Sequence, residues 1–79
     1  MANITLHVVE AFDADGDGNL VEREPKAYPT AAAAMQAAKV LSREATGVIA
    51  WSRSGDPDIG EYGEPTIIFQ AGLLPDEFD

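Results

Sequence analysis

Hydrophobic and polar side chains alternate along the first segment of the chain. Ile4, Leu6 and Val8 share one side of residues 3–12, and the residues between them share the other. A period of two residues is typical of a strand with one buried face. Two Asp-Gly steps follow within residues 13–18, and this dipeptide is a strong signal for a reversal of the chain. The pattern therefore predicts a β-hairpin with residues 13–18 at its tip.

The returning segment, residues 19–28, is predicted to form the second strand. It contains Pro25, whose nitrogen has no proton to donate to a neighbouring strand, so we expect this strand to be short or to lie at the edge of the sheet. Two later segments, 48–53 and 65–70, are predicted to form the third and fourth strands. Residues 54–64 between them are rich in glycine and acidic residues, which predicts a loop.

A helix is predicted over residues 31–45, where alanine and other strong helix formers follow one another. Thr30 is suited to cap the first turn, and Gly47 is suited to the left-handed position that ends a helix. The predicted inner face consists mostly of alanine. A face of small side chains allows the helix to lie close against a sheet.

These elements predict one α+β domain over residues 1–79, with the order ββαββ. A four-stranded antiparallel sheet would carry one helix packed on one face, and residues 75–79 would form an acidic C-terminal tail. A single helix covers only part of four strands, so the other face is open to water, to a second copy of the chain or to a partner. The candidates for that open face are Trp51, Ile49, Val9 and His7.

Charge narrows the possible partners. The chain has 5 Lys and Arg against 14 Asp and Glu, which gives a formal net charge of -9. Phosphate groups are repelled by such a charge, so we expect neither direct binding of nucleic acid nor binding to an anionic membrane. The absence of Cys excludes thiolate metal sites and Cys nucleophiles, and one His leaves little basis for His catalysis. We therefore predict a protein that is not an enzyme and needs no cofactor.

One motif points to a metal. Residues 13–24, DADGDGNLVERE, are similar to the calcium-binding loop of EF-hand proteins. The ligand positions of that loop would be occupied by Asp13, Asp15, Asp17, Asn19 and Glu24. Two features argue against calcium binding. Pro25 disfavours helical geometry at Glu24, and the segment before the loop has the pattern of a strand, whereas an EF-hand loop follows a helix. The other interpretation is an acidic hairpin tip, since Asp and Gly are the residues that such turns require.

Most acidic residues are predicted to lie in loops, around the first hairpin and in the segment 54–64. One interpretation is that this charge keeps a small protein soluble. The other is a docking surface for a basic groove, such as one that holds nucleic acid, with Tyr62 as an aromatic anchor. The residues predicted to contact such a partner are Asp13, Asp15, Asp17, Glu22, Glu24, Asp56, Asp58, Glu61, Tyr62 and Glu64.

In its size, its ββαββ order, its charge and its acidic loops at 13–18 and 56–64, the chain resembles the small type I anti-CRISPR proteins of phages. The resemblance implies an inhibitor that binds a type I CRISPR surveillance complex in the cytoplasm of a bacterial host. Inhibition would be electrostatic and steric. Two alternatives stay open: a small calcium-binding protein that uses the loop 13–24, and a structural domain that forms a homodimer through the open sheet face.

Overall fold

The structure is a computed structural model that describes residues 3–56 and 58–74. It confirms the α+β class: one helix packs on an antiparallel sheet that curls into a half-barrel. The elements in chain order are β1 (Ile4–Ala14), β2 (Leu20–Glu22), β3 (Lys26–Tyr28), α1 (Ala31–Leu41), β4 (Gly47–Asp56), β5 (Glu61–Tyr62) and β6 (Thr66–Gly72). The acidic tail predicted at 75–79 lies outside the described residues.

Within the described residues the sheet has six strands, more than the predicted four. β1 and β4 are the central pair, in antiparallel register from Ile4 opposite Gly55 to Phe12 opposite Gly47. β2 and β3 both pair with the free side of β1, and β5 and β6 both pair with the free side of β4. Each outer strand is thus divided into two segments, and this division accounts for the additional strands.

Pro25 explains the division of the first outer strand. It lies in the link between β2 and β3, outside the paired residues of both strands, so its missing N–H removes no bond from either ladder. The prediction of a short edge strand around Pro25 is therefore confirmed. On the other edge, the predicted loop 54–64 contains the end of β4 and all of β5, because Gly55 and Asp56 pair with Tyr62 and Glu61.

The helix begins as predicted and ends earlier than predicted. The Thr30 side chain accepts a hydrogen bond from the backbone N–H of Ala33 at 3.0 Å, which is the expected cap. The helix ends at Leu41, with Ser42 at its C-terminal cap. The prediction that Gly47 ends the helix is wrong, since this residue is the first of β4 and is buried. The turn between them is tied to β1, because the Thr46 N–H donates to the Phe12 carbonyl at 2.9 Å.

The core under the helix is made of small side chains. Ala34 and Ala38 are completely buried, which confirms the close packing expected from an alanine face. The buried cluster consists of Val9, Ala11, Ala34, Ala38, Val48 and Ala50. Ile68 and Phe69 of β6 are partly buried against it. No helix in residues 3–56 and 58–74 has the length and apolar character that crossing a membrane requires.

Two of the four residues proposed for the open sheet face lie on the other side. Val9 belongs to the core under the helix, and His7 shares its face because side chains two positions apart in a strand point the same way. Ile49 and Trp51 do lie on the face opposite the helix. Ile49 is nevertheless fully buried there, and Phe12 on the same face is buried too. The face opposite the helix therefore contains buried side chains, and the prediction that it is open does not hold at Ile49 and Phe12.

Candidate functional site

The acidic residues predicted to bind a partner lie at opposite ends of the sheet. β1 has 11 residues, and at about 3.3 Å per residue it is about 35 Å long. The 13–24 set begins where β1 ends, and the 56–64 set begins beside Ile4, where β1 starts. We call the first set, Asp13, Asp15, Asp17, Glu22 and Glu24, the hairpin pole. We call the second set, Asp56, Asp58, Glu61, Tyr62 and Glu64, the loop pole.

Arg23 neutralises much of the charge at the base of the hairpin pole. Its Nε donates to Asp13 Oδ2 at 2.7 Å and its Nη2 donates to Asp13 Oδ1 at 2.8 Å, so the contact is bidentate. Its Nη1 also donates to Glu44 Oε1 at 3.1 Å, beyond the end of the helix. The hydrogen bond from Arg23 lowers the pKa of Asp13, and the same contacts raise the pKa of Arg23. Asp13 is therefore engaged within the protein.

Asp15 organises the tip of the hairpin. Its Oδ1 accepts hydrogen bonds from the backbone N–H of Asn19 at 2.9 Å and of Asp17 at 2.8 Å. These bonds, with the one from Asn19 as the largest cause, hold the pKa of Asp15 below its usual value. An aspartate that accepts from backbone donors further along a turn is a common way to fix the turn. The Asp17 carboxylate, by contrast, makes no ion pair with a described residue and stays exposed.

The five predicted calcium ligands are not gathered into one site. Among residues 3–56 and 58–74, no three His, Cys, Asp or Glu side chains are placed to hold a metal ion together. Asp13 is bound to Arg23, and Asp15 turns toward the backbone of the tip. Glu24 lies in the link between β2 and β3, on the rim of a groove beside α1. The hairpin geometry therefore favours the interpretation of an acidic turn.

Calcium is expected to leave thermal stability unchanged. A ligand present at about 100 times its Kd stabilises the folded state by roughly 2.7 kcal/mol, which is easily visible in a melting curve. We expect no increase in melting temperature at millimolar Ca²⁺ relative to Mg²⁺, because Arg23 would have to release Asp13 first. A rise that Ca²⁺ produces and that Glu24→Gln abolishes would instead support the EF-hand-like site.

Acid is expected to weaken the hairpin pole. Because the pKa values of Asp13 and Asp15 are lowered in the folded protein, the unfolded chain binds more protons in the acid range. The contribution of both groups is complete above the usual aspartate pKa of 3.8 and is lost as the pH falls through their folded values. Urea unfolding at a series of acid pH values should show this loss, with a shallower pH dependence for Asp13→Asn. An unchanged slope in that variant would contradict the assignment.

The loop pole is built on the close approach of β5 to β4. A Cβ at Gly55 would lie 2.7 Å from the Tyr62 Cα, so the absence of a side chain at Gly55 lets the two strands pair. The Tyr62 ring then lies under the Arg53 guanidinium, whose Cζ is 5.8 Å from the ring centroid. Arg53 Nε also donates to the Gly63 carbonyl at 2.7 Å. These contacts place the Tyr62 ring against Arg53 at the edge of the sheet.

Apolar and acidic side chains are exposed together at this end. Ile59 is 67% exposed and Tyr62 is 37% exposed. Around them, Glu61 and Glu64 make no ion pair with any described residue. Asp56 accepts a hydrogen bond from the Asp58 N–H at 2.9 Å, which shapes the start of the loop. The loop pole thus presents two apolar side chains inside a rim of carboxylates.

Two polar cross-strand pairs were not predicted from the sequence. On the helix side of the sheet, His7 Nδ1 and Ser52 Oγ are hydrogen-bonded at 2.7 Å, and Thr5 Oγ1 and Ser54 Oγ at 2.8 Å. The partners are 45 and 49 positions apart, so no local spacing reveals them. No described carboxylate contacts His7 to orient it as a base. Such side-chain pairs directly opposite each other are an ordinary source of sheet stability.

An apolar groove between α1 and β3 was also not predicted. It encloses about 680 Å³. Val9 and Ala11 lie on its sheet side and Ala37 and Leu41 on its helix side, while its rim includes the charged residues Arg23, Glu24 and Lys26. Its size depends on how far the helix lies from the outer strand, and the sequence pattern does not give that distance.

Comparisons of the chain with models of known protein families, with curated proteins and with solved structures find no match. The resemblance to anti-CRISPR proteins stays an expectation from size and charge, since the structure, over the part of the chain that it describes, divides the predicted ββαββ order into six strands around one helix. What the structure adds is the arrangement of the charge: one pole whose aspartates are partly engaged internally, and one pole whose glutamates face outward around Ile59 and Tyr62.

Proposed function

We propose that the chain is a non-enzymatic interaction domain whose loop pole docks on a basic protein surface and keeps nucleic acid away from it. The observation that carries this proposal is the exposed pair Ile59 and Tyr62 within a rim of carboxylates. Interfaces gain most of their affinity from a few aromatic or other anchors near the centre, surrounded by a polar rim. The loop pole has this composition on a small scale.

The loop pole suits docking better than the hairpin pole. At the hairpin pole, both carboxylate oxygens of Asp13 are held by Arg23, so binding through Asp13 would break an internal ion pair. At the loop pole, the Tyr62 ring already contacts Arg53, which favours its observed position. A side chain that is ordered before binding loses less conformational entropy when a partner contacts it.

The mechanism of inhibition is competition for positive charge. Lys and Arg residues that hold phosphates in the partner would pair with Glu61 and Glu64, and an Arg-carboxylate pair is often bidentate. Opposite potentials also speed the encounter of the two proteins. Once the domain is docked, its body, with a cross-section of 23 by 19 Å, prevents a nucleic acid from reaching the same groove.

A type I CRISPR surveillance complex is the partner that we propose. CRISPR effector complexes hold guide and target strands in positively charged channels. In size and in charge, this chain resembles the type I anti-CRISPR proteins. Binding to such a positively charged channel also fits a protein whose net charge of -9 repels phosphate groups.

A competition experiment tests this function. Fluorescence anisotropy of a labelled target duplex would report binding to purified, guide-loaded type I surveillance complexes of several subtypes while this protein is added. We expect the duplex to be displaced from at least one subtype, and the inhibition to weaken as the salt concentration rises. Tyr62→Ala should raise the inhibitory concentration at least tenfold, equivalent to about 1.4 kcal/mol.

Two double variants separate the poles at equal net charge. Glu61→Gln with Glu64→Gln removes two charges from the loop pole, and Asp17→Asn with Glu24→Gln removes two from the hairpin pole. We expect the first to weaken inhibition roughly tenfold and the second by less than about threefold. Equal losses would show that only total charge matters. No displacement from any subtype at low salt would show that the proposed function is wrong.

A further inference from the structure

We propose that the outer edge of β6 pairs with the same edge of a second copy of this chain, so that one sheet continues through a symmetric dimer. β6 has seven residues, Thr66–Gly72, and pairs with β4 on its inner side. On its outer side it makes no backbone hydrogen bond to any described residue. A row of free N–H and C=O groups along an edge is a template for another strand.

The two edges of the sheet differ in the features that prevent pairing. The edge formed by β2 and β3 consists of two three-residue strands, and Pro25 and the charged Arg23 and Glu24 separate them. Short strands, charges and proline are the usual protections of an edge. β6 has no charged residue and no proline, and its sequence TIIFQAG is rich in residues that favour strands. The β5 part of the second edge also carries such protections, in Glu61, Glu64 and Pro65. Of the four described outer segments, only β6 lacks them.

A β-bulge divides the pairing of β6 with β4 into two parts. The register with β4 shifts between Ala50, which is opposite Phe69, and Trp51, which is opposite Ile67. Beyond this shift, residues 69–72 continue in regular register to Gly72. Gln70 lies in the middle of this regular segment and is exposed. We therefore place the twofold axis of the dimer near Gln70.

The lack of charge on β6 allows a second copy to bind at this strand. Two copies repel one another because each has a net charge of -9. We expect this repulsion to be weak at β6, because this strand has no charged side chain. A basic partner would be drawn to the acidic poles instead. Antiparallel pairing of β6 with itself is self-complementary, as a twofold interface requires. The Gln70 amide suits the axis because it has both donors and acceptors and can bond to its own copy.

Sedimentation equilibrium of the whole protein tests the dimer. We expect the dimer fraction to rise with protein concentration and also to rise between about 0.1 M and about 1 M salt, where the Debye length falls from ~10 Å to ~3 Å and repulsion is screened. The proposed docking on a basic surface has the opposite salt dependence, so the two proposals fail independently. A monomer at millimolar protein in high salt would overturn the dimer.

A matched pair of variants assigns the dimer to β6. Gln70→Glu places two like charges at the proposed axis and should raise the dimer Kd at least roughly tenfold. Gln36→Glu makes the same chemical change at an exposed position of α1 and should alter that Kd by less than about twofold. Circular dichroism would show that both variants are folded. Equal effects of the two variants would exclude β6 as the interface.

Discussion

Gly47→Ala is expected to lower the free energy of unfolding by about 3 kcal/mol, at the upper end of the cost of overpacking. A Cβ at Gly47 would overlap the carbonyl oxygen of Leu73 and lie 2.7 Å from its carbonyl carbon. These are backbone atoms, and the Leu73 N–H donates to the Thr46 carbonyl at 3.1 Å. Relief of the overlap would therefore have to separate the end of β6 from β4.

Urea unfolding followed by Trp51 fluorescence would measure this loss. Gly16→Ala is the matched control, because a Cβ there meets no atom within 4 Å and the glycine lies in the exposed hairpin tip. We expect the control to change stability by less than about 0.5 kcal/mol. If Gly47→Ala were as stable as Gly16→Ala, the close contact between β4 and the chain after β6 would not exist in solution.

Ile49→Ala is expected to destabilise the protein by about 3 kcal/mol, within the range for removing a buried aliphatic side chain. Ile49 is 0% exposed although it lies on the sheet face away from the helix. Phe12, also buried, is a diagonal neighbour on that face, because Ile49 is opposite Glu10. The variant would leave a cavity at the buried position of the Ile49 side chain.

Ile67→Ala provides the comparison on the same face. Ile67 is opposite Trp51 in the neighbouring strand and is 44% exposed, so its truncation should cost less than about 1 kcal/mol. Denaturant unfolding of both variants gives the difference. Similar small losses would mean that Ile49 is exposed in solution and that the face opposite the helix has no buried group.

The sequence correctly predicted the features that depend only on neighbouring residues. Thr30 caps the helix, and Pro25 lies between two short edge strands, as their chemistry predicts. The end of the helix was not predicted, because residues 42–45 are compatible with a helix. There the pairing of Gly47 with Phe12 requires the chain to turn earlier. Tertiary pairing thus overrode local propensity.

The candidate site shows the same limit. The alternation of β1 correctly groups His7 with Val9, but which group faces the helix depends on packing and was assigned wrongly. The acidic residues were predicted to lie in two loops, but the distance between these loops was not predicted. Their separation into two poles follows from the antiparallel register of β1 and β4, and the bidentate contact of Arg23 with Asp13 follows from the geometry of the hairpin. Neither is visible in residue spacing.

The central pair of strands also has a consequence for how the protein forms. The chain between β1 and β4 contains the hairpin tip, β2, β3 and the whole helix. Side-chain contacts between these two strands link positions as distant in the sequence as Thr5 and Ser54. A long loop must close before these contacts stabilise anything, which slows folding relative to proteins with mostly local contacts. On the ribosome, the first strand must therefore wait for most of the chain to emerge before its principal neighbour is available.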